Sequence, residues 1–86
     1  MISLKAECQN CGFKRHGIRV DEKIGVFIGD VDFLFSHLKK HRDHVIWLTS
    51  WNLDLVGEFP IENRTLEYIL KYDSYGNIDV KKIEHR

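Results

Sequence analysis

Val31-Asp32-Phe33-Leu34-Phe35-Ser36-His37-Leu38-Lys39-Lys40-His41-Arg42-Asp43-His44 is the stretch that decides the fold. Val31, Leu34, Phe35 and Leu38 recur at helical spacing and give one apolar stripe, so the pattern predicts a helix over about 31–43. Asp30 suits its N-cap, Asp32 places negative charge in the first turn, and Lys39, Lys40 and Arg42 place positive charge near the end. Three of the chain's five histidines, His37, His41 and His44, then fall on successive turns.

Working upstream, Cys8-Gln9-Asn10-Cys11-Gly12 holds the only two cysteines. Gly12 suits a knuckle, where the backbone turns back so that amides face the thiolates. Two thiolates from a knuckle and two imidazoles from a helix are the four ligands that tetrahedral Zn²⁺ takes in a closed structural site. The expected ligands are Cys8, Cys11, His37 and His41, with His44 as an alternative to His41, and the expected cofactor is one structural Zn²⁺. A thioredoxin-like redox use of the CxxC is set aside because no strand is expected before Cys8 and no helix after Cys11. Gly17 to Val20, then Asp21-Glu22-Lys23, then Ile24 to Ile28 reads as strand, turn and strand.

Downstream the pattern turns to β. Val45 to Trp51 is rich in β-branched and aromatic residues, and Asn52 is expected to turn it into a strand from Leu53 to Phe59, with Pro60 ending that strand or sitting at an edge. Leu66, Tyr68, Leu70 and Tyr72 alternate, which is preferred as a strand over a helix at 64–73 because Asp73 to Asn77 is a turn signal. Ile78, Val80 and Ile83 line a final strand. The expected class is α+β: a zinc knuckle and β-hairpin, one helix, and a C-terminal antiparallel sheet packed on that helix, all in a single domain over 1–86.

The spacing Cys8-x2-Cys11, hairpin, Leu34-x2-His37-x3-His41 resembles the ββα zinc finger with two Cys and two His ligands, over residues 6–44. The resemblance implies that Leu34 packs a small core and that His37 and His41 face the hairpin. It departs from that family in the twenty-five residues between Cys11 and His37, where a finger has about a dozen. The positions that match the family's base readers are Asp30, Asp32, Phe33 and Ser36. Carboxylates there oppose a phosphate-lined groove, so this helix is not expected to read duplex DNA. Phe33 and Phe35 are expected to pack under the C-terminal sheet instead.

Composition bounds the function. Lys+Arg and Asp+Glu are equal at 13 each, so no global basic field points to nucleic acid. Lys14, Arg15 and Arg19 form a small basic cluster, and His16 beside them is expected on the surface. Trp47 and Trp51 share one face of their strand. Trp47 is expected in the core and Trp51 partly exposed as a partner anchor. No long apolar segment indicates a signal peptide or membrane span, and two nearby cysteines do not make a secreted disulfide scaffold, so a cytoplasmic protein is expected.

No membrane contact or small-molecule substrate is indicated. The leading expectation is a non-catalytic, zinc-stabilised interaction or regulatory module that docks a protein partner. The alternative is a nucleic-acid-binding regulator. A third reading follows from Arg42-Asp43-His44-Val45-Ile46, which faintly resembles the His-centred strand entry of HNH nucleases. That resemblance implies a general base at His44, but the family's second CxxC and its later metal ligand have no counterpart here.

Overall fold

The computed structural model describes residues 2–21, 23–28 and 31–84, with Asn52 and Asp54 described by their backbone alone. It is a two-layer arrangement of one antiparallel sheet and one helix. The elements run β1 (Ile2–Cys8), β2 (Lys14–Asp21), β3 (Val26–Ile28), α1 (Asp32–Lys40), β4 (Val45–Val56), β5 (Phe59–Tyr72) and β6 (Ile78–Lys82). The sheet has six strands in the order β3-β2-β1-β4-β5-β6. Every neighbouring pair is antiparallel. The α+β class therefore holds, but the separate hairpin and C-terminal sheet are joined into one sheet by β1.

β1 was not expected, and it occupies the middle of the sheet. Leu4, Ala6 and Cys8 alternate along it and are all buried. Period-2 alternation sends all three to one face. Ile18 and Val20 of β2, Ile46 and Leu48 of β4, and Tyr68 and Leu70 of β5 are buried in the same core cluster. Leu34 and Leu38 of α1, one turn apart, complete it. Burying each such aliphatic side chain stabilises the fold by about 1.5–3 kcal/mol relative to leaving it in water.

The helix is shorter than its sequence pattern. It begins at Asp32 with Val31 at the N-cap position and no side-chain cap there; Asp30, the expected cap, lies outside the described residues. It ends at Lys40, and His41 leaves helical backbone at φ −131°, ψ 80°. The apolar stripe stops at Leu38, and the next two core-facing positions are His41 and Arg42. Continuing the helix would bury nothing. Instead the His44 N–H donates to the His41 carbonyl at 3.0 Å, closing a turn into β4. Arg42 lies over the Tyr72 ring, 5.5 Å from its centroid.

The C-terminal half departs in one further place. Asn52 does not turn the chain; it pairs with Asn63 inside β4 and β5, and the reversal comes at Gly57-Glu58. Gly57 has φ +65°, the left-handed conformation that a two-residue hairpin turn takes at its first central position when that residue is glycine. Pro60 is the second residue of β5, opposite Leu55 and away from the stretch that β6 pairs, so it takes the edge position, the second of its two expected places. Residues 64–73 are strand through Tyr72, not helix. The turn after Tyr72 is as expected, with Asp73 Oδ1 accepting from the N–H groups of Tyr75 and Asn77, each at 2.9 Å.

Trp47 is also corrected. With Ile46 and Leu48 turned into the core, strand alternation sends Trp47 to the opposite face, where it is 39% exposed; Trp51, on the same face, is 54% exposed. Phe33 packs beside Phe13 of the β1–β2 turn, with ring centroids 6.1 Å apart, rather than under the C-terminal strands. Among the described residues no helix is long and apolar enough to cross a membrane.

Leu38 is fully buried and Trp47 is not. Leu38→Ala is therefore expected to lower unfolding free energy by about 2–5 kcal/mol. Trp47→Ala is expected to cost under about half of that. Urea unfolding of the two variants under one metal condition checks the order; equal losses would place Trp47 in the core after all.

Candidate metal centre

The end of β1, the turn after it, the last turn of α1 and the entry to β4 converge on one point. Cys8 is the final residue of β1, and its N–H donates to the Phe13 carbonyl at 2.7 Å across the hairpin loop. Inside that loop the Gly12 N–H donates to the Cys8 carbonyl at 3.2 Å. Gly12 sits at φ +76°, so a side chain there would be strained. This geometry turns Cys11 back beside Cys8.

β4 supplies the next piece through register. Cys8 stands opposite Ile46, two residues after His44. The Gln9 N–H donates to the Val45 carbonyl at 2.9 Å, and the Val45 N–H donates to Asn10 Oδ1 at 2.9 Å. Asn10 thus fastens the turn to the residue immediately after His44, a role not anticipated from the sequence. His37 comes from the last turn of α1, its ring stacked on Phe13 at 4.9 Å and 20°.

The result is a four-residue group. Cys8 Sγ lies 3.5 Å from His44 Nδ1, Cys11 Sγ lies 3.5 Å from His37 Nε2, and the two ring nitrogens are 3.3 Å apart. All four candidate ligand atoms fall within 4.8 Å of one another and could hold a metal ion. Both cysteines are free thiols. The composition is that of a two-Cys/two-His motif.

Its second histidine is His44, the sequence alternative, and not His41. His41 caps the helix and its ring stacks on that of His44, 4.5 Å away at 13°. The His37 and His41 rings remain neighbours, with centroids 5.0 Å apart, but it is His44 Nδ1 that reaches both His37 Nε2 and Cys8 Sγ.

The remaining sequence candidates are not gathered into one site. Arg15 lies over the Phe33 ring at 4.5 Å. Arg15 and Arg19 line a shallow cleft of about 330 Å³ with Phe33 and His16, while Lys14 is not among its lining residues. A larger cleft of about 470 Å³ includes Trp51, Lys5, His16, Gly17, Glu62 and Arg64. It sits where β2 carries a bulge opposite Lys5, with Gly17 at φ +82°. Lys5, His16 and Arg64 were not grouped with Trp51 from sequence, because the strand register that unites them is a tertiary property.

The chain matches no protein-family model, no curated protein and no solved structure.

Burial, then the nearby His41 and His44, holds the His37 imidazole below its ordinary value near 6.5. A lowered folded-state value means the unfolded chain binds more protons as pH falls through that region. In metal-free protein, stability is therefore retained above about pH 6.5 and lost progressively below it. Thermal unfolding in chelator at pH 7.5 and 5.5 is expected to show this loss, and His37→Asn is expected to reduce it. A loss unchanged by that substitution would assign the effect elsewhere.

Proposed function

We propose that this chain is a single, non-catalytic domain stabilised by one structural Zn²⁺ on Cys8, Cys11, His37 and His44, and that it docks a protein partner. The observation that carries the reading is the spacing of the four ligand atoms. A tetrahedral ion with zinc–sulfur bonds of about 2.3 Å and zinc–nitrogen bonds of about 2.05 Å sets sulfur and nitrogen ligands ~3.6 Å apart and two nitrogens ~3.3 Å apart. Two of the four sulfur–nitrogen separations, at 3.5 Å each, and the nitrogen–nitrogen separation of 3.3 Å agree with those edges, and all four atoms lie within 4.8 Å of one another. Two soft thiolates with two imidazoles suit Zn²⁺ rather than Ca²⁺ or Mg²⁺, which take oxygen ligands.

Four protein ligands leave no open coordination position for substrate or water, which supports a structural role over a catalytic one. His44, with Nδ1 turned to Cys8, is committed as a ligand and is poorly placed as the general base of a nuclease. Zinc there fastens α1 to one face of the sheet. The opposite face, carrying Trp47 and Trp51, stays clear and has the aromatic composition of a protein-binding surface.

A second reading rests on the 470 Å³ cleft, where Trp51 stands with Lys5, His16 and Arg64. A stacking ring beside cations suits one strand of nucleic acid. Glu62 in the same lining, 3.3 Å from Arg64, offsets part of that charge and ranks this reading second. Quenching of tryptophan fluorescence by an oligonucleotide at physiological salt, lost in Trp51→Ala, would reverse the ranking.

Elemental analysis of protein purified without added metal is expected to find one zinc per chain. Cys8→Ser, Cys11→Ser, His37→Ala and His44→Ala are each expected to abolish it, while His41→Ala keeps it. Retention of zinc by His44→Ala together with its loss in His41→Ala would transfer the fourth ligand to His41.

A further inference from the structure

Among the described residues the register of the sheet shifts twice, and both shifts fall on one row. That row is Lys5 of β1 opposite Thr49 of β4. On one side, β2 sets two residues, His16 and Gly17, against Lys5, between the pairs Leu4–Ile18 and Ala6–Arg15. On the other side, β5 inserts Glu67 between Tyr68 and Leu66, the partners of Leu48 and Thr49. A bulge bends its strand and increases its twist, and bulges recur beside binding sites because they re-aim side chains. The cleft of about 470 Å³ opens over this row, lined by Lys5, Thr49, His16 and Gly17 together with Trp51 and Arg64.

Its chemistry is sorted by position. Lys5 and Thr49 alternate with the buried Leu4, Ala6 and Leu48, so the cleft lies on the face away from the helix. Trp51 offers a 54% exposed indole, and Arg64 stands directly opposite it. Arg64 is already matched by Glu62 at 3.3 Å. Lys5 and His16, on the other side of β4, have no ion-pair partner among the described residues. Unmatched positive charge therefore lies to one side of the ring. Lys5 and Trp51 are diagonal neighbours, about 7–8 Å apart along the backbone, with the Thr49 hydroxyl group beside both. A ribose spans a gap of that order.

We propose that this cleft binds a free 5′-nucleotide, its base stacked on Trp51, its sugar against Thr49 and its phosphate at Lys5 and His16. The inference rests on the cleft of the second reading and puts one nucleotide in place of a strand. The volume falls within the ~300–1,000 Å³ of small-molecule sites. A strand needs a positive groove that follows its backbone past successive rings. Here the cationic row has no continuation. The next row toward the metal group is Glu7, Trp47 and Ile69, and the next toward the β4–β5 turn is Leu53 with Glu62. A carboxylate on either side leaves room for one phosphate and repels a second.

Calorimetric titration of the unaltered, metal-loaded protein with adenosine 5′-monophosphate tests this. A dissociation constant at or below about 1 mM is expected. Adenosine and inorganic phosphate, each offering half of the contacts, are expected to bind at least about tenfold more weakly. Trp51→Ala and Lys5→Gln are each expected to weaken the nucleotide by about tenfold, with zinc content and far-ultraviolet dichroism unchanged. No binding up to about 10 mM nucleotide would overturn the proposal, as would equal affinity in both variants or equal affinity for adenosine. The adenosine and phosphate titrations use the unaltered chain and decide the matter even if a variant folds poorly. An oligoadenylate of about ten nucleotides that binds more than tenfold tighter than the monophosphate would overturn the free nucleotide and return the cleft to a strand. Failure of both ligands removes both readings of the cleft and leaves the zinc-stabilised docking module standing.

Discussion

The pairing of β1 with β4 is the constraint on which the rest of the structure depends. It sets Cys8 opposite Ile46, and that single register does two things at once. It turns the side chains of Leu4, Ala6, Ile46 and Leu48 to one face, making the platform that α1 covers. It also brings the residue before β4's first position, His44, against the thiol at the end of β1. A one-residue slip would invert every side chain of one strand. It would then move Cys8 away from His44 and expose half of the core. Core and candidate metal group are therefore specified by the same hydrogen-bond ladder, with Asn10 locking it at its end.

That economy matters in a chain of 86 residues. A domain of this size buries only ~60–65% of its unfolded surface and has a small net stability. The buried cluster draws on β1, β2, β4, β5 and one helix, and the helix contributes just two fully buried residues, Leu34 and Leu38. Nine residues of helix are too few to be stable alone, so α1 is held by what it packs against. A metal that ties His37 to the sheet would act where that hold is weakest, at the helix end with no glycine stop. Apparent binding free energies of about 10–16 kcal/mol for structural zinc exceed the net stability of many small domains.

Much of this was legible in the residues, and the misses have physical causes. The stripe of Leu34 and Leu38, the CxxCG turn and the Asp73–Asn77 turn are local patterns, and each forms where the pattern places it. Ile2, Leu4, Ala6 and Cys8 alternate just as clearly, but reading Cys8 only as a ligand hid its second role as the buried end of a strand. His44 enters the group because the β1–β4 register sets it against Cys8, a tertiary fact that helical spacing does not carry. Alternation correctly put Trp47 and Trp51 on one face, yet parity cannot say which face is inside. Ile46 and Leu48 won the core because two aliphatic side chains fit beneath a helix where two indoles would not. Asn52, a good turn former, is paired with Asn63 mid-strand, and the chain reverses at Gly57-Glu58 instead.

Along the sheet the molecule has two distinct regions. Near the metal group β1 has a strand on each side and the core shared with the helix, so side-chain identity there is dictated by packing. Past Ser50 the strands keep their pairing and lose everything else, and composition there is free to answer another demand. A ribbon answering only to solvent would carry charge and polar residues, since exposed strand edges invite aggregation. This one carries both kinds: Trp51, Leu53 and Leu55 share a face with Glu62 and Arg64, while Val56, Phe59 and Ile61 share the other with Asn63, and Gly57 turns the ribbon back as a hairpin. The body, with its helix, core and candidate metal group, and the ribbon beyond Ser50 are thus two regions of one sheet under different constraints.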